Sequence, residues 1–173
     1  KYYFDGLSKC INEEFVFHGR SRRPPLDEFN SMIGLGYSVL MNEIYGKIEE
    51  KGLNPYFGFM HQDREKHPTL ASDLMEEWRA VIVDAVVMNL INGHEIKIEQ
   101  FNYDTYGNGV FLNRDAMKIF INKMEKRMGT DNSYLKHIEY RVSFRRSLEL
   151  QIDSLIHAMQ EEDMDLYQPV RIR

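Results

Sequence analysis

The sequence predicts one mainly α-helical domain spanning residues 1–173, with at most a short β-hairpin. Three observations predict it. Apolar residues recur at spacings near 3.6 in four long segments. Capping residues stand where those segments start, and Gly or Pro where they stop. Strand-like stretches are confined to the region around residues 96–112. A chain of 173 residues suffices for one compact core, and no internal repeat, low-complexity run or clear linker divides it.

Tyr3, Phe4, Leu7 and Ile11 follow helical spacing, so residues 2–11 read as the end of a helix. The chain opens at Lys1 without Met, and it is expected to be part of a longer protein. Residues 12–26 form a loop that holds Gly19, an arginine cluster and Pro24–Pro25, which keep the backbone extended. Asp27 caps a helix that runs to Lys51, its acidic start matching the positive end of the helix dipole. Phe29, Ile33, Tyr37, Leu40, Ile44 and Ile48 form its apolar stripe. Gly34 and Gly36 interrupt that stripe at about 1 kcal/mol each against Ala, a cost that points to a close neighbour.

A second long helix is expected from Thr69 to Asn92, closed by Gly93. At about 100° per residue, Glu76 lies at about −60° and Glu77 at about +40° from Asp73. The three acids then share one face while Leu74, Met75 and Trp78 pack through the other. Ile96, Ile98 and residues 110–112 flank a polar turn at 106–109, the pattern of a small hairpin. Asn113 caps a helix to Met128, and a last helix is expected from Asn132 to Glu162, followed by an irregular tail.

Composition narrows the function. The formal net charge is −5, so bulk charge offers nothing to nucleic acid, and any such contact must come from local patches. Arg20, Arg22 and Arg23 form one, and Arg141, Arg145 and Arg146 another; solvated surface is the favoured explanation of either patch taken alone. The longest apolar patch, 80–91, is broken by Asp84 and Asn89, so no membrane span is expected. The single cysteine, Cys10, forms no internal disulfide and fits a cytoplasmic protein.

The densest set of candidate metal ligands lies in residues 53–79. His61 sits in a Pro- and Gly-punctuated loop, and Asp73, Glu76 and Glu77 follow on a helix. Hard oxygen donors suit Mg²⁺ or Mn²⁺, and Mn²⁺ also accepts imidazole. Asp73 and Glu76, three apart on a helix, can point at one ion. Acids in the first turn of a helix are also ordinary dipole-compatible surface, and a loop histidine is ordinarily a surface residue. Other templates fail: no HExxH, no tandem His-Asp pair and no phosphate-cradling glycine loop occurs.

Pro24–Pro25, Asp27, Asn30 and Gly36–Tyr37 precede Leu53, Pro55–Tyr56, Gly58–Phe59, His61 and the stretch from Thr69 to Glu77. In this order they resemble the catalytic core of CRISPR-associated protein one, the spacer-acquisition integrase. Leu148 to Gln151 and Tyr167 to Pro169 resemble the end of that family. The resemblance implies a metal-dependent DNA endonuclease and integrase that works in CRISPR adaptation. It implies a helical catalytic domain without the family's N-terminal β domain. It assigns His61, Glu76 and Asp73 as catalytic, metal-binding residues for Mg²⁺ or Mn²⁺. A further glutamate ligand would precede the Tyr3–Phe4 landmark and fall before Lys1, which would impair this piece on its own. The implied partners are prespacer DNA, the CRISPR repeat, CRISPR-associated protein two and a second copy of the chain. The implied step is attack of a DNA 3′-hydroxyl on a repeat phosphodiester, without a covalent protein intermediate. Arg22, Arg23, Arg79, Arg145 and Arg146 are the DNA-backbone candidates, and Arg79 alternatively pairs with the acids. A non-catalytic helical interaction domain and an unrelated metal phosphohydrolase are the competing readings.

Overall fold

Six α-helices and two short antiparallel strand pairs form the described part of the computed structural model, which covers residues 2–17, 19–62, 66–104, 106 and 109–170. The mainly helical expectation holds. The chain groups into two compact units, residues 1–38 with 83–125 and residues 39–82 with 126–173. Among the described residues no helix is long and apolar enough to cross a membrane.

The first unit begins with α1 (Tyr2–Ser8). The start of α2 (Glu28–Glu50) follows, capped by Asp27, whose Oδ1 accepts the Asn30 N–H at 2.7 Å. Phe4, Phe17 and Phe29 form an aromatic chain with centroids 6.0 and 4.8 Å apart. Buried Asp84 accepts the hydroxyls of Tyr3 at 2.5 Å and Tyr37 at 2.8 Å, and burial beside that carboxylate raises the Tyr3 pKa. α4 (Ala85–Asn92) and α5 (Arg114–Met128) supply the remaining helical core through Val86, Val87, Leu90, Ile91, Phe120 and Met124. Asn113 caps α5 as expected, its Oδ1 accepting from Asp115 and Ala116. The hairpin exists, but its first strand is β1 (Phe101–Tyr103) rather than 96–98, pairing with β2 (Val110–Leu112). Residues 98–100 instead form a 3-10 turn, closed where Gln100 Oε1 accepts the Lys97 N–H at 2.9 Å. Of the expected polar turn, Gly107 and Asn108 lie outside the described residues.

Of Gly34 and Gly36, only the second has the expected close neighbour. A Cβ at Gly34 would meet open space, whereas one at Gly36 would overlap Val83 Cγ1 and stand 3.2 Å from the Phe120 ring. Gly36→Ala therefore gains about 1 kcal/mol of helix propensity and loses about 1–3 kcal/mol to overpacking. We expect a net loss of up to about 2 kcal/mol in denaturant unfolding, recovered in part when Val83→Ala makes room.

The second unit takes the rest of α2, α3 (Thr69–Glu76) and α6 (Phe144–Gln160). The expected 69–92 helix is broken. After α3 the chain tightens into a turn at 77–78, resumes helical form at Arg79 and continues as a π-helical segment, Ala80–Asp84, before α4. A physical cause is at hand: Arg127 donates from Nε (2.9 Å) and Nη2 (2.5 Å) to the Val81 carbonyl. The same guanidinium lies 4.6 Å from the Phe144 ring centroid. The last helix also starts later than expected. Buried Asn132 spends its side chain on Val142 O and Ser147 Oγ, at 3.0 Å each, and β3 (Asp131–Asn132) pairs with β4 (Val142–Ser143). Ser143, not Asn132, caps α6, accepting the Arg146 N–H at 3.2 Å. Trp78, fully buried, packs edge-on against Phe144 and donates from Nε1 to Gln151 Oε1 at 2.7 Å.

Candidate functional site

The loop after α2 folds back onto α3 because both ends of the contact are polar groups that need partners. Thr69 Oγ1 accepts the Gly58 N–H at 2.9 Å and donates to Tyr56 O at 2.5 Å, while the Leu70 N–H reaches Pro55 O at 3.0 Å. One turn on, the Asp73 carboxylate is fully buried. Its Oδ2 accepts the N–H groups of Phe59 (2.6 Å) and Met60 (2.8 Å), and its Oδ1 accepts the His61 N–H (3.1 Å) and the His61 ring. Gly58 is required here, since a Cβ would stand 2.5 Å from Asp73 Oδ2 and 2.9 Å from the Thr69 backbone carbon. Burial pushes the Asp73 pKa up, but the donors from Met60, the His61 ring, Phe59 and the His61 backbone outweigh it, so the net shift is downward.

A carboxylate only accepts, so the His61 Nδ1 in contact with Asp73 carries the proton. Nε2 is the other ring face, and it lies 4.0 Å from Glu76 Oε1. The side chains of His61 and Glu76 are 41% and 35% exposed, so this pair is reachable from solvent while Asp73 is not. Two donors 4.0 Å apart can share one cation with bonds of about 2.1 Å. A carboxylate holding the other nitrogen of a ligating imidazole is a recurrent metal-site arrangement. Among the described residues, no group of three or more His, Cys, Asp or Glu converges as a ready-made cage.

The structure thus brings His61, Asp73 and Glu76 together. Asp73 meets the loop with all four hydrogen bonds directed inward, an arrangement different from the shared acidic face expected of the helix. Glu77 departs from that face as well. It accepts the Tyr167 hydroxyl at 2.7 Å and the Val170 N–H at 2.6 Å, fastening the C-terminal segment to α3. Arg79 pairs with Glu76 at 2.8 Å, the bland expectation for it. Arg145 pairs with Glu43 (2.9 Å) between α6 and α2, and Arg146 pairs with Glu149 (2.6 Å) within α6. Arg22 and Arg23 are exposed in the loop before α2, in the first unit. Sequence reasoning passed over Thr69 and Gly58 as framework only. The signal was a Thr at a helix start facing a glycine loop.

A helical unit that holds an imidazole by a buried carboxylate and offers it to a second carboxylate defines a candidate metal-binding domain. The family model for CRISPR associated protein Cas1 matches residues 1–126, and the chain belongs to that family. The CRISPR-associated endonuclease Cas1 of Mycobacterium tuberculosis is 42% identical over 160 residues, covering 92% of this chain and 47% of the relative. The CRISPR-associated endonuclease Cas1 3 of Thermus thermophilus is 35% identical over 173 residues, covering 99% of this chain and 50% of the relative. The chain therefore spans about half the length of these curated relatives. Among solved structures, a Cas6-RT-Cas1–Cas2 complex matches with TM-score 0.85 and 26% identity, over 99% of this chain and 18% of that one. A casposase bound to integration product shares the fold at TM-score 0.85 and 23% identity, over 99% of this chain and 51% of that one.

Proposed function

We propose that this chain is the helical catalytic part of a metal-dependent DNA endonuclease and integrase, which joins prespacer DNA to a CRISPR repeat by transesterification. The observation that carries this reading is the fixed imidazole: His61 is tied through Nδ1 to buried Asp73 and offers Nε2 towards Glu76. The names of the curated relatives, all endonucleases, support the reaction class. The Cas1–Cas2 assembly among the similar structures supports CRISPR-associated protein two as a partner. A homodimer in the cytoplasm is our expectation for the whole protein, resting on the family resemblance alone.

In this reading His61 Nε2 and Glu76 hold Mg²⁺ or Mn²⁺. When bound, the ion supplies Lewis-acid stabilisation of charge on the phosphodiester oxygens. Asp73 does not reach the substrate. It fixes the imidazole tautomer and pins the loop backbone, so that Nε2 is presented without reorganisation. Arg79, paired with Glu76, would exchange that carboxylate for a DNA phosphate when Glu76 serves as a metal ligand. The attacking group is a DNA 3′-hydroxyl, so no side chain here needs to act as a covalent nucleophile.

The test is strand transfer by the whole protein that carries this chain, with CRISPR-associated protein two, of a labelled 3′-hydroxyl duplex into a repeat-bearing DNA. Joined product that forms with Mn²⁺, vanishes in chelator and is absent in His61→Ala is expected. Turnover of mononucleotides without joined DNA would favour an unrelated phosphohydrolase. No Mn²⁺ binding and no product would favour a non-catalytic interaction domain.

A further inference from the structure

The loop that presents His61 exposes large apolar side chains that its own backbone keeps out of the core. Phe57 is 67%, Phe59 51% and Met60 59% exposed. This exposure is imposed by the fold. The N–H groups of four consecutive residues, 58 to 61, are drawn inward onto Thr69 Oγ1 and the Asp73 carboxylate. With the backbone pinned on that side, the flanking rings are presented outward. Tyr56, beside them, is engaged differently, its ring edge-on to Tyr45 at 6.2 Å.

We propose that Phe57 and Phe59 form a stacking platform for unpaired bases of a single DNA strand next to the phosphate handled at His61, an inference that rests on the catalytic reading above. Three observations select a nucleobase as the occupant. The Cα atoms of Phe59 and Phe57 stand two and four residues ahead of His61, within at most about 14 Å of its Cα along an extended chain. A strand whose phosphate reaches the imidazole therefore has its neighbouring bases within reach of the rings. The stretch from Leu53 to Met60 carries no acidic or basic side chain, and the nearest carboxylate, Asp73, is fully buried and faces inward. A polyanion thus meets no repelling charge on those eight residues, and the exposed Glu76 beside His61 is paired with Arg79 at 2.8 Å. The chain as a whole has net charge −5, so affinity for DNA has to come from something besides bulk attraction. Stacking on aromatic rings supplies it for any base sequence, because every base has a π-face.

The experiment uses the 173-residue chain and single-stranded oligonucleotides carrying 2-aminopurine at successive positions, titrated in chelator so that binding is read without metal. Wild-type protein should quench the probe at one or two adjacent positions. Phe57→Ala and Phe59→Ala should each weaken binding about ten-fold and abolish the quenching. The dependence of log affinity on log salt should keep its slope, because no phosphate contact is removed. Phe57→Tyr and Phe59→Tyr should restore both readouts, whereas the leucine variants should not. Thermal unfolding should match wild type throughout, since both rings are exposed. His61→Ala should lose Mn²⁺ and keep the quenching, which separates this platform from the catalytic reading. The proposal is overturned by wild-type protein that does not bind the strand, by a double alanine variant that binds within two-fold of wild type, or by full affinity in the leucine variants. It is equally overturned if the alanine variants change only the oligomeric state, which would make the rings a contact between copies.

Discussion

Asp73→Ala should collapse the His61 loop and cost more stability than any other single change in this site. The substitution removes the acceptor from three backbone N–H groups, of Phe59, Met60 and His61, together with the ring of His61. Each buried donor left without a partner costs about 1–3 kcal/mol, and the freed loop can recover part by turning to water. A net loss of about 3–5 kcal/mol in denaturant unfolding is expected, with faster amide exchange at residues 59–61. Asp73→Asn keeps the shape but turns an amide N–H₂ towards groups that donate, so it should recover only part of the loss. The pH dependence has a definite sign. The folded pKa lies below the ordinary 3.8, so the stabilisation is fully present above that value. It is lost as pH falls through the lowered folded value. Unfolding free energy measured from about pH 6 down to about pH 2 should fall for wild type and lack this component in Asp73→Asn.

His61→Ala and Glu76→Ala should each reduce Mn²⁺ affinity by at least about 100-fold, with little change in stability. Both side chains are partly exposed, at 41% and 35%, so neither substitution opens the core. The two should not add in a double variant, because removing either donor already dismantles the pair. Glu76→Ala also releases Arg79 from its 2.8 Å ion pair, so its DNA affinity without metal should rise rather than fall. Calorimetric titration with MnCl₂, alongside denaturant unfolding, separates these effects from those at Asp73. Equal Mn²⁺ affinity in all variants would leave His61 and Glu76 as surface residues.

Helix content was legible in the sequence because it rests on local rules, whereas the grouping of His61, Asp73 and Glu76 was expected from the family resemblance. The apolar stripe of α2 from Phe29 to Ile48 is set by spacing, and Asp27 and Asn113 cap as short polar residues should. The breaks were not legible, because they depend on partners distant in sequence. Nothing between residues 69 and 92 announces that Arg127 will take the Val81 carbonyl, 46 positions away. Asn132 looks like a helix start until Ser147 and the Val142 carbonyl claim its amide. The same limit applied to the acids. Helical angles placed Asp73, Glu76 and Glu77 on one side, but a folded-back loop buries the first, and a returning C-terminal segment engages the third. Phe59 read as framework and Phe57 went unread for the same reason: their exposure follows from where four N–H groups point.

The most direct measurement is an anomalous difference map from crystals of this chain soaked in MnCl₂. One peak between His61 Nε2 and the Glu76 carboxylate is predicted, with Asp73 still holding the N–H groups of residues 59–61. A map with no peak there, or with the ion on Asp73 and the imidazole turned away, would contradict the assignment.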